Sequence, residues 1–405
     1  MADDLIIVGG GPAGVMAGLL FARAGCKVRV LEKHKDFFRD FRGDTVHPST
    51  MEILDQLGFL EEFLNRPHNR LDKAQLRVAG RDWTIGDLSH LDTPAPFIAM
   101  MPQWDFLDFL RDRAAAYPGF RLEMEQPVES FIEEKGHITG VKLAGGKTLK
   151  AKLVIAADGR DSIARALLPL EDLGAPMDVF WFRLAKSEAQ QGALRGNVEP
   201  GRLLVMIDRG DYWQCAFLIP KGAAQFYLDR GIEAIRGEVA KAAPPGLDLK
   251  ELDDIADLHL LTVKLDRLER WHRPGLLAIG DAAHAMSPIG GIGINLAIQD
   301  AVAAANILAA PLRRGDDVNL ILHRVQDRRM WPTRVIQSGQ KAAQDRLIGR
   351  ILQADKPITE APLFVRLLDR FPLLRRIPGR IIGLGIRRER VRSPNSPSPP
   401  RGSSG

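Results

Sequence analysis

The sequence is poor in the residues that build covalent or metal-held scaffolds. Two cysteines, Cys26 and Cys215, occur in 405 residues. A disulfide framework is therefore excluded, and a reducing, cytoplasmic location is expected. The nine histidines show no spacing typical of metal ligands, so no metal site is predicted.

Long apolar runs and a secretory leader are also missing. No apolar run reaches the roughly 18 residues that a membrane span needs, so no membrane-spanning segment is expected. The first residues lack a basic region followed by an apolar one, so a signal peptide is not expected. The net charge of +5 is uneven, because residues 361–392 hold nine arginines against Asp369 and Glu389. The rest of the chain is not basic, and nucleic-acid binding is not expected.

What the chain does contain is a glycine-rich turn between two short apolar runs. The first run, residues 5–8, leads directly into Gly9-Gly10-Gly11-Pro12-Ala13-Gly14, and the second, residues 28–31, ends at Glu32 and Lys33. This order predicts a βαβ unit with the G-x-G-x-x-G signature of dinucleotide binding. Gly9 allows the sharp turn, Gly11 lets the backbone approach a pyrophosphate, and Gly14 lets the helix pack on the strand.

The acid after the second run indicates which dinucleotide binds. Glu32 follows Gly14 by 18 residues, where it can accept hydrogen bonds from ribose hydroxyls. A carboxylate at this position repels a 2′-phosphate, so the adenosine is expected to belong to FAD or NAD rather than NADP.

Two later stretches favour FAD. Asp158-Gly159-Arg160 follows a buried apolar run, and Gly280-Asp281-Ala282-Ala283-His284 follows another. The second stretch continues through Pro288 to Gly291-Ile292-Gly293-Ile294-Asn295, which predicts bare backbone beside a flat ring and a helix N-terminus aimed at it. A positive helix end suits a reduced, anionic flavin.

With these three motifs in this order, the chain resembles the class A flavoprotein aromatic hydroxylases, the para-hydroxybenzoate hydroxylase-like family. The resemblance covers roughly residues 3–345. It implies that Glu32 binds the adenosine ribose, that Asp281 binds the ribitol or pyrophosphate region, and that residues 291–295 contact the isoalloxazine edge. It also places Arg42 and Gln103 at flavin-contacting positions and assigns Asp158 to a motif shared between FAD and NAD(P)H handling. A second G-x-G-x-x-G is absent from the sequence, as in that family, where the nicotinamide docks transiently.

The fold expected from the resemblance is α/β. A Rossmann-like FAD-binding domain of the GR2 type is interrupted by a mostly β substrate domain and followed by C-terminal helices. The predicted segments are FAD-binding 1–73, 101–170 and 271–345; substrate-domain strands 74–100 and sheet 171–270; C-terminal basic helices 346–392; and a disordered tail 393–405.

The resemblance implies an FAD-dependent monooxygenase that uses NAD(P)H and O2 to hydroxylate an aromatic or polyketide- or quinone-like molecule through a flavin C4a-hydroperoxide. No catalytic base is assigned, and the candidate residues are Tyr212, Gln214 and His47. Tyr212 and Gln214 share one face of a predicted strand, where the Tyr212 hydroxyl could bind a substrate oxygen. The five aromatic residues at 181, 182, 212, 213 and 217 are individually expected in the core, with some of them lining the pocket as a set.

Three other functions stay open at this point. A flavin-dependent halogenase shares the fold, although the motif W-x-W-x-I-P is absent from the sequence. A reductase or dehydrogenase of a prenyl lipid is favoured mildly by the basic C-terminal segment. A non-enzymatic carrier of the same fold would lack the flavin-ring motif at 288–295.

The basic segment 361–392 has two interpretations. Apolar residues recur in it at helical spacing with arginines between them. Such a segment can pack on the body of the protein, which we favour, or make weak peripheral contact with the inner face of an anionic membrane.

Overall fold

The chain begins with the βαβ unit that its sequence predicts. The computed structural model describes residues 3–38, 45–186, 194–356 and 358–396. Strand β1 (Asp3–Val8), helix α1 (Pro12–Arg23) and strand β2 (Val28–Leu31) follow one another, and the two strands are parallel. Most of α1 is buried, because it packs on the sheet and on two further helices.

The other elements are numbered in chain order. The remaining strands are β3 Thr45–Val46, β4 Asn69–Leu71, β5 Lys73–Val78, β6 Arg81–Asp87, β7 Ile98–Met100, β8 Phe120–Glu123, β9 Val128–Glu134, β10 His137–Leu143, β11 Thr148–Ala156, β12 Leu170–Asp172, β13 Met177–Ala185, β14 Leu194–Glu199, β15 Arg202–Asp208, β16 Tyr212–Pro220, β17 His259–Leu261, β18 Asp266–Leu268, β19 His272–Arg273, β20 Leu276–Ala278 and β21 His284–Ala285. The remaining α-helices are α2 Pro48–Gln56, α3 Leu60–Leu64, α4 Gln103–Ala114, α5 Ala224–Asp229, α6 Gly231–Ala242, α7 Gly293–Arg314, α8 His323–Ala343, α9 Gly349–Leu352, α10 Leu363–Arg370 and α11 Pro372–Leu384.

The first sheet is the dinucleotide-binding layer. Its strand order is β19-β20-β11-β1-β2-β8, in which β20, β11, β1, β2 and β8 are parallel and the hairpin β9–β10 extends β11. Parallel strands covered on both faces are apolar along their length, as residues 5–8 are. The carboxyl ends of β1, β11 and β20 meet at one edge, so Gly9, Asp158 and Gly280 are brought together there. The expected α/β class with a Rossmann-like layer is confirmed.

A second sheet provides the predicted substrate layer. Its order is β17-β13-β16-β15-β14-β5-β6, antiparallel except where β14 pairs with β5. The strand β14 was not predicted from the sequence. The predicted segment 74–100 contributes strands to two different sheets. Strands β5 and β6 belong to this sheet, whereas β7 pairs with β3 and β4 in a small separate sheet. The domain boundaries themselves stay a prediction.

The C-terminal helices pack on this second sheet. A side chain at Gly379 would place its Cβ 1.9 Å from the carbonyl oxygen of Asp87 at the end of β6, so α11 lies directly against the strand. Gly383 makes a similar approach to Leu88 and Leu91. Docking on the body, which we favoured for 361–392, is therefore what the contacts of α11 show. None of the contacts among the described residues supports the alternative membrane contact.

The chain after α11 returns to the first layer. The Asn306 side-chain oxygen accepts hydrogen bonds from the backbone N–H groups of Arg392 and Ser393, at 2.7 and 2.8 Å. The N–H of Ser396 donates to the carbonyl of Arg23. Ser393 and Ser396, which lie within the predicted disordered tail 393–405, thus donate hydrogen bonds to the helices α7 and α1, and the disordered tail itself stays a prediction. Residues 397–405 lie outside the described residues.

One helical stretch among the described residues, Ile289–Arg314, is long and apolar enough to cross a bilayer. It is 78% buried inside the protein, as expected of a core helix.

A buried ionic network joins α7, α8 and the C-terminal strap, residues 385–396. Asp300 accepts from Arg329 Nε at 2.8 Å and from His284 Nε2 at 2.6 Å, and Arg329 and Asp300 are fully buried. Arg329 also donates to the carbonyl of Arg387 and lies 3.4 Å from Glu389. The network therefore connects the core helices to the strap.

We expect Asp300→Asn to lower the free energy of unfolding by about 3–5 kcal/mol, because the buried Arg329 guanidinium loses the nearer of its two carboxylate partners. Urea unfolding followed by circular dichroism measures the change. Glu233→Gln is the matched control, since Glu233 pairs with Arg236 in a largely exposed ion pair on α6. Equal unfolding midpoints for Asp300→Asn and the wild type would contradict the assigned role of the network.

Candidate functional site

The glycine turn after β1 has the steric pattern of a phosphate cradle. Gly9 has a positive φ of 104°, and a Cβ on it would lie 2.4 Å from the carbonyl oxygen of Ala157. A Cβ on Gly14 would lie 1.9 Å from the carbonyl oxygen of Gly9. A Cβ on Gly11 would meet no described atom within 4 Å. Gly9 and Gly14 are thus needed for packing, whereas the space in front of Gly11 is open to a ligand.

The helix that follows presents its N-terminus at this open space. Pro12 is the first residue of α1, and the buried Ala13 follows it. N–H groups in the first turn of a helix have no intrahelical acceptor, so they can bind a pyrophosphate.

Glu32 at the end of β2 supports the turn directly. Its carboxylate oxygens accept from the backbone N–H groups of Gly10 at 2.9 Å and His34 at 3.0 Å, and the residue is 8% exposed. Each carboxylate oxygen can accept a further bond. The predicted contact of Glu32 with a ribose is compatible with this geometry and stays a prediction. Cofactor binding by the exposed Lys33 also stays a prediction.

A surface cavity of about 600 Å³ opens beyond this end of β2, lined by residues that include Lys35, Phe37, Trp104 and Arg111. Its lining residue Phe37 has Cε1 3.3 Å from where a Cβ on Gly10 would lie, so the cavity lies beside the glycine turn. The sequence motifs gave no indication of this cavity.

The loop after β11 contributes an acidic and a cationic side chain, Asp158 and Arg160, at the carboxyl ends of the parallel strands. Asp158 accepts from the N–H of Ile163 through Oδ2, while its Oδ1 is buried without a hydrogen-bond partner among the described residues. Burial raises the pKa of Asp158 above its ordinary value. Arg160 donates from Nε to Asp281 Oδ2 at 3.0 Å, and its Nη1 is likewise buried without a described partner. Sequence reasoning missed Arg160 as a site residue, although it stands in the quoted Asp-Gly-Arg motif.

The predicted flavin end is formed by the turn that leads into α7. Gly290 and Gly291 have φ values of 77° and 63°, and the Thr45 hydroxyl donates to the carbonyl of Gly291 at 2.9 Å. A Cβ on Gly293 would lie 3.9 Å from Asp281 Oδ1, so the carboxylate stands over the N-terminus of α7. Pro288 and Ile292 cap the two ends of one short 3₁₀ helix, residues 289–291, and Ile292 is also the N-cap residue of α7.

Asn295 in the first turn of α7 joins the flavin end to α2. Its side-chain oxygen accepts from the N–H of His47 at 3.1 Å and from the Thr50 hydroxyl at 2.7 Å. Its Nδ2 is a buried donor without a described acceptor. An amide donor is thus available beside the turn 288–293.

His47 is fully buried between this turn and the last helix. Its Nδ1 lies 2.8 Å from the carbonyl oxygen of Ile382 on α11, and because a carbonyl only accepts, Nδ1 carries the proton. Its Nε2 is a buried acceptor without a described donor. Burial lowers the pKa of His47 to about 4, so the imidazole is neutral at pH 7 and can accept a hydrogen bond at Nε2.

The two candidates on the second sheet lie at one end of its strands. Tyr212 and Gln214 are opposite Ala185 and Arg183, so they share the predicted face. The Arg183 guanidinium stacks on the Tyr212 ring at 4.9 Å. Gln214 is buried, and its oxygen accepts from Arg209 Nε and Nη2 at 2.7 and 2.6 Å. These contacts define a polar cluster, and the catalytic roles of both residues stay predictions.

Two further residues, Arg42 and Gln103, are predicted to contact the flavin. Arg42 lies outside the described residues. Gln103 is the first residue of α4 and follows β7, which pairs with the strand that contains Thr45. Its contact with the flavin stays a prediction.

The residues at this edge fit FAD. The open space in front of Gly11 can accommodate a pyrophosphate. Buried polar atoms without described partners lie between the carboxyl ends of the strands and the N-terminus of α7. Such atoms are rare in folded proteins unless a ligand or water satisfies them. They comprise both acceptors and donors, as a molecule with hydroxyl, phosphate and ring carbonyl groups requires: Asp158 Oδ1, Arg160 Nη1, His47 Nε2 and Asn295 Nδ2.

Gly11→Val is expected to fold and to lose FAD. The new side chain meets free space in the protein but occupies the pyrophosphate position, and losing two or three hydrogen bonds weakens FAD binding roughly 30- to 150-fold. Flavin absorbance per protein measures occupancy. Gly14→Val is the contrasting variant and should fail to fold, because its Cβ overlaps the Gly9 carbonyl. A Gly11→Val protein with full flavin content would refute the assigned cradle.

His47 makes the stability depend on pH. The unfolded chain binds a proton near pH 6.5, whereas the folded chain does so only near pH 4. The folded state therefore loses stability as the pH falls below 6.5, by up to about 2 kcal/mol at pH 5. His47→Gln should show a shallower loss in unfolding experiments between pH 7 and 5. The control His259→Gln, at an exposed position on β17, should keep the wild-type slope. An unchanged slope in His47→Gln would overturn this assignment.

Comparisons with known proteins identify the family of the chain. A family profile described as "FAD binding domain" matches residues 3–338. The chain is 34% identical over 402 residues to 6-methylpretetramide 4-monooxygenase of Streptomyces rimosus, covering 96% of this chain and 94% of that enzyme. It is 25% identical to para-nitrophenol 4-monooxygenase of Pseudomonas sp. strain WBC-3, over 81% of this chain and 83% of that one.

The fold also agrees with a solved structure. The p-nitrophenol 4-monooxygenase PnpA of Pseudomonas putida DLL-E4 superimposes with a TM-score of 0.77 at 18% identity, covering 95% of this chain and 99% of that one. With the family profile, the full-length relative and the glycine cradle in agreement, the chain belongs to the class A flavoprotein monooxygenases, FAD-dependent oxidoreductases that act on aromatic compounds.

Proposed function

We propose that this monooxygenase hydroxylates a polycyclic aromatic, polyketide-like substrate with NAD(P)H and O2. The observation that carries the proposal is the apolar face of the second sheet opposite the flavin end. Val205, Ile207 and Leu194 of this face belong to one apolar cluster with Leu384 and Ile382 of α11. An apolar surface of several strands suits a flat, fused ring system better than a small polar phenol.

The relation to the Streptomyces rimosus enzyme supports the same substrate class. That enzyme is named for 6-methylpretetramide, and the match extends over nearly the full length of both chains.

Bound FAD would accept a hydride from NAD(P)H and deliver one oxygen atom of O2 to an electron-rich ring carbon. The overall reaction converts substrate, O2, NAD(P)H and a proton into hydroxylated substrate, water and NAD(P)+. Gly11, Glu32, Asp158 and Asp281 would bind the cofactor, since they surround the cradle and the strand ends.

The protein would orient the ring and exclude water. Asn295 Nδ2 can donate to a ring carbonyl of the flavin, and the positive N-terminus of α7 favours negative charge on the reduced ring. His47 Nε2 offers a hydrogen-bond acceptor but takes up no proton at neutral pH. Gly379 and Gly383 let α11 close against the sheet, which keeps water away from the reacting oxygen.

The role of Tyr212 and the cellular location are separate proposals. The Tyr212 hydroxyl is proposed to bind a substrate oxygen at the polar end of the sheet. The cytoplasmic location follows from the two cysteines alone, and peripheral membrane contact through 361–392 has no structural support.

The function is tested with ¹⁸O2. We expect polycyclic phenols such as 1-naphthol to accelerate NAD(P)H oxidation by the holoenzyme and to yield product with one ¹⁸O atom, measured by mass spectrometry. Hydrogen peroxide is the matched readout, because a poorly fitting ring leaves the site wet and diverts O2 to peroxide. Peroxide alone, with no labelled product across a panel of polycyclic phenols, would contradict the proposal.

A further inference from the structure

Trp181 lies on the substrate-facing side of β13. Its neighbours Phe180 and Phe182 point to the opposite side, where they pack in a cluster with α6 residues such as Ile235. Successive side chains of a strand alternate between faces. Trp181 is instead packed against the two apolar clusters that lie on the other side of the sheet.

Each of these two clusters also includes a residue next to the flavin-end turn. Ile289, in one cluster, directly precedes Gly290. Ile382, in the other, has its Cγ1 3.8 Å from where a Cβ on Gly290 would lie. Trp181 therefore shares apolar clusters with the flavin-end turn and with α11, the region in which the proposed function would place the substrate.

The indole N–H of Trp181 is buried and has no acceptor among the described residues. Other tryptophans of the chain show how such a donor is normally satisfied. Trp83 Nε1 donates to the carbonyl of Val78 at 3.2 Å, and Trp271 Nε1 to that of Leu268 at 3.1 Å. Because indole nitrogen only donates, the missing partner of Trp181 has to be an acceptor.

We propose that the Trp181 indole N–H donates to an oxygen atom of the substrate and so determines which oxygenated aromatic rings bind and in which orientation. The assignment rests on the proposed function. Val205 and Ile207 on this face are apolar, and the polar cluster of Tyr212 and Gln214 lies further along the same strand face. A donor at Trp181 would therefore fix the orientation of a flat ring at this position. A site with a buried donor also discriminates against a ring that lacks the acceptor, because the donor then stays unsatisfied.

The experiment compares two substitutions in the holoenzyme with two probes. Trp181→Phe keeps an aromatic ring but removes the donor, and Trp83→Phe removes a donor whose acceptor lies within the protein. Dissociation constants for 1-naphthol and naphthalene are measured from the change in flavin absorbance. We expect Trp181→Phe to weaken 1-naphthol binding about tenfold, with naphthalene binding unchanged. Trp83→Phe should change neither.

A third probe keeps the proposal testable in the wild-type enzyme, even where Trp181→Phe fails to fold. 1-Methoxynaphthalene retains the acceptor oxygen but has no hydroxyl proton to donate. If Trp181 donates, this probe binds more tightly than naphthalene. Affinity for it no better than for naphthalene would overturn the proposal.

The failures of the two proposals are distinguishable. Unchanged 1-naphthol binding in Trp181→Phe, or an equal loss for 1-naphthol and naphthalene, would show that Trp181 only packs, and would leave the proposed function intact. Failure of the wild-type holoenzyme to bind any of the three probes would instead overturn the polycyclic aromatic substrate class, and the assignment of Trp181 with it.

Discussion

The buried carboxylate of Asp300 is the interaction on which the arrangement of the site depends. It accepts from the N–H of Gly280 at the end of β20, from His284 in the next turn and from Arg329 on α8. Arg329 extends the contact to the carbonyl of Arg387. Buried ionic groups are stable only with their partners in place, so the Gly-Asp turn, the core helices and the strap hold fixed relative positions.

That constraint places the end of the chain at the flavin end of the site. The strap holds α11, and α11 in turn presents the Ile382 carbonyl to His47 and lies against β6 at Gly379. The C-terminal segment thus packs between the His47 region and the second sheet, although its sequence resembles a surface helix rich in arginine. Under the proposed function, the exclusion of water from the flavin would then depend on both ends of the sequence.

The parts of the fold that were predictable are those specified by neighbouring residues. Gly14 needs the absence of a side chain because its Cβ would lie 1.9 Å from the carbonyl oxygen of Gly9 in the same βαβ unit, whereas Gly9 is restricted by the carbonyl oxygen of Ala157, which follows β11. The strands before Asp158 and Gly280 are apolar runs that end at a turn, so both motifs could be placed at strand ends. The strand β14 was missed because Leu194 and Val198 are the two large apolar residues among its six, and Gly196 lies between them.

The sequence by itself determined the dinucleotide-binding unit, the family and the cofactor motifs, because glycine sterics and strand-turn-helix order act over a few residues. Only the tertiary structure decided which polar atoms are left for a ligand. Arg160 is a candidate site residue because of its contact with the distant Asp281, and Trp181 because its indole N–H has no described acceptor. Glu32 accepts from the backbone N–H of Gly10, 22 residues away. Ser396 likewise packs on α1, 372 residues from Ala24, whose carbonyl accepts from its hydroxyl. Satisfaction of buried polar groups depends on which distant segments meet, and no local pattern contains that information.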